Sequence, residues 1–288
     1  MGGTKEALFG KSIDTYAMKK LKNYIEFLVS RVTVSSPAVI FTILLNSRLA
    51  QKRIPEKITY DKISKTYCMN GQDGKRYFKT KFQNFNSFKN GTQARNQQLI
   101  KDYLLENINI SASDLIIDCG ANIGDLWFAL KKQFNNFDYV AFEPSALEFE
   151  LLRQNIGANG ICHNIGLWNT AEGKTFFISS WNADSSFIKP ENYTNKIEIQ
   201  AKRLDQIIDK DIKLFKLEAE GAEMQVLEGI GGLLSRCQYI TADLGPENNG
   251  KSTLPEVTNY LLKNNFEMID FGFPRIVALY KNLSFNFR

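Results

Sequence analysis

The stretch Leu115-Ile116-Ile117-Asp118-Cys119-Gly120-Ala121-Asn122-Ile123-Gly124-Asp125 decides how the rest of the chain is read. Three aliphatic residues run into an acid, two glycines follow with an asparagine midway between them, and an amphipathic segment then begins. An apolar run bounded by glycine predicts a buried strand, a tight loop and the first turn of a helix. Glycine lets the backbone approach a ligand closely, and a helix N-terminus carries partial positive charge. The expectation is a pocket for a nucleoside-bearing cofactor.

Downstream, Tyr139-Val140-Ala141-Phe142-Glu143-Pro144 reads as a second buried strand ending in an acid. Ser145-x-x-Glu148 forms a capping box for a helix over 146–156. A third strand is expected over 161–167. Two more, 175–179 and 196–201, are joined by a polar loop over 180–195, and a short helix or turn follows at 204–208. A fourth core strand covers 214–218, a helix 221–234 and a fifth strand 238–244. Thr253-x-x-Glu256, with Pro255 between, caps another helix. The last two strands, 266–271 and 276–280, are too close for an intervening helix and pair as an antiparallel hairpin at the edge. This alternation predicts an α/β fold: a doubly wound, mostly parallel sheet of seven strands with helices on both faces.

Upstream the reading is less regular. Residues 1–90 are expected to form a basic extension or cap with helices and a small hairpin turning at 70–75, and 91–288 the main domain. Residues 1–100 hold 18 Lys and Arg against 6 Asp and Glu, a balance of +12; residues 101–288 hold 18 against 25, or −7. That split fits either an anionic partner or a basic face that meets the acidic half of the same chain. The apolar run 37–45 comes late for a signal peptide and is too short to span a bilayer. Residues 24–29, preceded by Lys19, Lys20 and Lys22, suggest a helix that covers the main domain or, alternatively, touches an anionic membrane surface. Cys68, Cys119, Cys162 and Cys237 form no C-x-x-C pair and read as buried thiols of a reducing, cytoplasmic compartment. With His163 the one histidine, a histidine-built metal site is excluded, as is a Ser-His-Asp triad unless His163 serves it. His163 itself is expected to be a strand residue.

In a doubly wound sheet, ligands sit beyond the carboxyl ends of the strands. Asp118 to Gly124 fall there, and Glu143, 25 residues after Asp118, is placed to accept hydrogen bonds from ribose hydroxyls. A dinucleotide fingerprint would need glycine where Asn122 and Asp125 stand, and Asp125 at the helix start would repel a pyrophosphate. No P-loop motif is present.

The pattern D-x-G-x-N-x-G resembles motif I of class I S-adenosylmethionine (SAM)-dependent methyltransferases, specifically the FkbM-like branch. The resemblance extends through Phe142-Glu143-Pro144 ("FEP"), Asn164-Ile165-Gly166-Leu167 ("N-x-A-L"), the segment 204–208 ("LDDLI") and 216–229 ("KIDVEGAE-x-x-VLKG"), over roughly residues 90–285. At Glu218 the family's usual aspartate is replaced by the longer acid. The resemblance implies SAM held at Asp118, Gly120, Asn122 and Gly124, with Glu143 on the ribose and the Asn164 to Leu167 segment, including Gly166, near the adenine. It implies methyl transfer to oxygen, on a saccharide, glycolipid or glycosylated natural product, as in polysaccharide biosynthesis. Nucleic acid is not expected as a partner, and no metal is required. A neutral hydroxyl needs a base, for which Glu218, Glu220 and Asp243 are the candidates; Glu220 reads equally as a loop brace, and Asp243 as a solvent-facing strand end. The loop 180–195, with Trp181, Asp184, Ser185 and Ser186, is expected to contact the acceptor. The alternative function is a non-catalytic methyltransferase-fold protein that binds an anionic partner.

Overall fold

The computed structural model describes residues 20, 24–178, 185–190 and 193–285, with the backbone alone for 82–84. Its first helix, α1 (24–35), ends at Ser36 because a residue before proline is pushed out of the helical region. Pro37 is the N-cap of α2 (Ala38–Gln51). Phe41, Leu45 and Leu49, four residues apart, line one face of α2 and are buried. That face packs on a three-stranded antiparallel sheet of β1 (Lys57–Asp61), β2 (Thr66–Gly71) and β3 (Gly74–Phe78). The turn between β2 and β3 is the pair Gln72-Asp73, closed by the partnered Gly71 and Gly74. Helices α3 (Lys81–Phe88) and α4 (Gly91–Asp102) follow. Tyr67, Phe78, Phe85 and Phe88 complete an aromatic-rich cluster that also takes in Ile123 and Leu151 of the main domain.

The main domain begins with β4 (Leu115–Cys119), all five residues of which are buried. Leu115, Ile117 and Cys119 enter one core cluster and Ile116 the other, as the two-residue period of a central strand requires. The chain continues through α5 (Asp125–Gln133), β5 (Asp138–Phe142), α6 (Ala146–Ile156) and β6 (Ile161–His163). After β7 (Gly166–Leu167), β8 (Gly173–Ile178) and β9 (Asn195–Lys202) come β10 (Ile212–Leu217), α7 (Glu223–Ile230), β11 (Cys237–Asp243), α8 (Leu254–Lys263), β12 (Phe266–Gly272) and β13 (Val277–Asn282). The large sheet has seven strands in the order β12-β13-β11-β10-β4-β5-β6. β13 pairs antiparallel with both its neighbours, and the other pairings are parallel. The expected doubly wound, mostly parallel sheet is therefore present. The chain leaves β4 for β5 and β6, then returns to β10 on β4's other side. The switch point thus lies between β4 and β10, above Cys119 and Leu217.

Two expectations are corrected. The strand over 161–167 breaks in two: β6 stays in the main sheet, whereas β7 pairs with β9 in a separate small sheet. The Asn164 amide causes the break, donating to the carbonyls of Glu143 at 2.9 Å and Pro144 at 3.1 Å and turning the chain outward. Neither capping box closes on its helix. The Ser145 hydroxyl donates to the Glu148 carboxylate, and that of Thr253 to the buried Glu223 at 2.8 Å.

Candidate active site

The loop after β4 is built from left-handed backbone: φ is +73° at Gly120, +49° at Asn122 and +85° at Gly124. A Cβ on Gly120 would collide with the Glu218 carbonyl oxygen, so only glycine permits the chains leaving β4 and β10 to run this close. The N–H groups of Gly120 and Ala121 both donate to the Phe142 carbonyl at 3.0 Å, fixing the loop to the end of β5. Glu143 stands just beyond that end. Its Oε2 accepts from the Asn122 N–H and its Oε1 from the Ser145 N–H, both at 2.8 Å. With neutral donors as its hydrogen-bond partners and little water, burial pushes the carboxyl up to about 8.

The neighbouring wall is organised differently. Lys216 of β10 lies directly across from Asp118 in the strand register and is buried. Its Nζ stands 3.0 Å from Asp118 Oδ1 and 2.9 Å from Glu218 Oε2, and donates to the carbonyls of Cys119 at 3.0 Å and Gly120 at 2.7 Å. Burial alone would lower this amine, but the two carboxylates outweigh it and hold it protonated well above its ordinary range. Tyr139 Oη donates to Asp118 Oδ2. Glu218 also accepts from Tyr103 Oη at 2.6 Å and from Arg275 Nη2. Burial would raise its carboxyl, but Lys216 and Arg275 prevail and hold it at about 2. Arg275 reaches on to Asp243 Oδ2 at 2.6 Å and lies over the Tyr103 ring at 4.9 Å. The result is a chain of alternating charge, Asp118–Lys216–Glu218–Arg275–Asp243, buried at Asp118, Lys216 and Asp243 and half-buried at Glu218 and Arg275.

A cavity of 940 Å³ opens between these walls. Its floor is the loop after β4 with Glu143, Lys216 and Glu218; Ile165, Gly166 and Phe187 form one side, and Arg95, Tyr103 and Arg275 another. A model of the methyltransferase FkbM domain matches residues 118–268, more than half of the chain. The chain belongs to the FkbM methyltransferase domain family. It is similar to Methyltransferase 1 of Beauveria bassiana, 26% identical over 143 residues, a match covering 40% of this chain and 57% of that protein. It is similar also to Methyltransferase sdnD of Sordaria araneosa, 21% identical over 173 residues, 46% of this chain and 67% of that one. Among solved structures, methyltransferase FkbM from Methylobacillus flagellatus aligns at 19% identity with a TM-score of 0.46, over 61% of this chain and 45% of that chain.

Within this FkbM domain, Asp118, Gly120, Asn122, Glu143, Gly166, Glu218 and Glu220 all line the cavity. Three expected residues do not. Asn164 holds the backbone of Glu143 and Pro144 instead of facing the space. Gly124 backs against Leu152 and Ile156 of α6. Asp243 is buried behind Arg275, so it is neither exposed to solvent nor open to the cavity. Asp118 lines the floor, yet its carboxylate is taken up by Lys216 and Tyr139. His163 stacks on Phe142 with ring centres 5.1 Å apart, away from the lining, as a strand residue does. Glu220 has a left-handed φ of +51°, a conformation that costs a non-glycine residue about 1 kcal/mol or more and that gathers at working sites. The loop around Glu220 is braced by Glu223, whose Oε1 accepts from the N–H groups of Ala219 and Gly221. Of the loop 180–195, Trp181 and Asp184 lie outside the described residues; Ser186 donates to the Glu220 carbonyl at 2.7 Å.

Sequence reasoning missed Lys216, Tyr103, Arg275 and Arg95. Lys216 opens the "KIDVEG"-like segment, and a lysine between the apolar Phe215 and Leu217 near the end of a buried strand is the one signal that marked it. The role given to Asp125 is also corrected. Its charge is met by Arg76 at 3.3 Å and Arg95 at 3.0 Å, so it does not present the loop with uncompensated negative charge.

Proposed function

We propose that the chain transfers the methyl group of SAM to a hydroxyl of a saccharide or glycoconjugate. The observation that carries this reading is Glu143: a carboxylate at the carboxyl end of β5, each oxygen aligned by one backbone N–H, facing a cavity that also contains Glu220. Each oxygen keeps a lone pair for a diol, the recognition element of a ribose. Apolar neighbours Phe142, Leu147 and Ile165 suit a purine ring. The residues present therefore fit SAM, with Glu143 and the loop Gly120 to Asn122 as its holders. When bound, SAM supplies an electrophilic methyl group on a sulfonium.

The protein contributes alignment and proton handling. Glu218, held near 2 by Lys216 and Arg275, is a poor proton acceptor and serves to fix the floor. Asp243 is committed to Arg275. Glu220 is therefore the base assigned to the acceptor hydroxyl. The Glu218 carboxylate, one methylene beyond the family's aspartate, still reaches Lys216, Tyr103 and Arg275, which supports a working site over a non-catalytic scaffold. Calorimetric titration with SAM, followed by transfer of labelled methyl to a panel of glycans and glycolipids, tests the reading. An absence of SAM binding overturns it, and methyl transfer confined to non-carbohydrate acceptors overturns its substrate class.

A further inference from the structure

Helix α2 is apolar on two opposite sides. Phe41, Leu45 and Leu49 face the core, while Val39, Ile40, Ile43 and Leu44 are exposed. Helix α1 repeats the exposed pattern: Ile25, Leu28, Val29 and Val32 follow the i, i+3, i+4, i+7 spacing of one helical face, and all stand in solvent. Val32 is 66% exposed and Ile43 58%, so these side chains do not cover the main domain. Aliphatic stripes of this extent mark a surface that meets something other than water.

Charge indicates what it meets. Arg31 of α1 is exposed, as are Lys20 before it and Lys52 and Arg53 just past α2, while Glu26, the one acid in the two helices, is paired with Arg48. A second copy would bring the same positive charge to the contact. An anionic bilayer would neutralise it while accepting the stripes among its headgroups. No helix among the described residues is long and apolar enough to cross a membrane, so the helices would lie in the surface plane. They also adjoin the cavity: Val34 of α1 lines it, and Lys81, another lining residue, donates to the Ser36 carbonyl at 2.7 Å.

We propose that α1 and α2 form a docking face for an anionic membrane surface, holding the cavity beside the headgroups. Vesicle binding needs neither cofactor nor acceptor, so its outcome is separate from that of the proposed reaction. The test is co-flotation of the full chain with phosphatidylcholine vesicles, with and without phosphatidylglycerol, at low and high salt. Partition onto the anionic vesicles is expected, weakened by salt. Val32→Glu and Ile43→Glu, both at solvent-facing positions, should keep the wild-type melting temperature and each reduce partition about tenfold. Lys20→Glu should weaken it by a smaller factor. Equal partition onto neutral and anionic vesicles overturns the proposal, as does partition that both glutamate variants retain. A concentration-dependent dimer that Val32→Glu dissociates, with no vesicle binding, also overturns it and assigns the face to a second copy.

Discussion

Two acids at the strand ends on either side of β4 have opposite surroundings. Glu143, beyond β5, is held by two neutral backbone donors, and burial raises its carboxyl to about 8. Glu218, beyond β10, is flanked by Lys216 and Arg275 and held near 2. One wall of the cavity is thus an ion-paired frame, and the other carries a carboxyl bonded by neutral backbone donors. A buried charge can be made tolerable by pairing it or by leaving it partly protonated, and this site uses both solutions side by side.

The sharpest way to break the frame is Lys216→Met. It leaves Asp118 and Glu218 buried without their shared cation, and loss of one partner of a buried pair costs about 3–5 kcal/mol. Denaturant unfolding should show that loss; a variant of wild-type stability would mean the chain of charges is not a frame at all. Glu220→Gln acts on the open side, with turnover expected to fall about 10²-fold or more and SAM affinity to stay unchanged. Full turnover in this variant would remove Glu220 as the base. Glu143→Ala should weaken SAM binding about 10- to 100-fold by calorimetry, since it removes two hydrogen bonds worth about 0.5–1.5 kcal/mol each. Asp118→Asn is the counterpart in the frame: stability falls by roughly 1–3 kcal/mol, and SAM affinity by less than in Glu143→Ala. The reverse order would exchange the two roles.

A further test separates the two acids by pH. Glu143 binds a proton in the folded state that it releases when unfolded, over the range from the usual 4.5 to about 8. Its contribution is therefore present below that range and lost as pH rises through it. Glu218 has the opposite sign, contributing above 4.5 and losing its contribution as pH falls towards about 2. The melting temperature of the ligand-free protein should decline between about 4.5 and 8, and less so in Glu143→Gln. Glu247, also pushed up to about 8 by burial, keeps part of the slope in that variant. A flat profile in the wild type would count against the buried, partly protonated state of Glu143.

What could be read from the sequence follows a physical divide. β4 and its glycines were legible because burial on both faces leaves an unbroken apolar run, and positive φ leaves glycine. The acid ending β5 was legible for the same reason. The partners of those acids were not. Asp118 meets Lys216 only because the strand order places β10 beside β4, and no local pattern encodes that register. Arg275 reaches Glu218 from the turn between β12 and β13, where periodicity carries no information. The outward turn at Asn164 depends on a side chain capping carbonyls 20 and 21 residues earlier, so the apolar run 161–167 looked continuous when it was not. Whether the stripe on α1 faced protein or solvent likewise depended on what packs against it.

Arg76 deepens the contrast between the two ends of the chain. It is fully buried in β3, yet it bonds Asp73, Asn96 and the first residue of α5, with its guanidinium over the Phe128 ring at 4.2 Å. Asn155 of α6 ties the same strand, through both backbone groups of Tyr77, to the Ile123 carbonyl. The small sheet that carries β3 is thus not an ornament that a related enzyme could exchange at will. A foreign leading segment grafted onto residues 91–288 would leave Asp125 to Arg95 alone unless it brought an arginine to the place of Arg76.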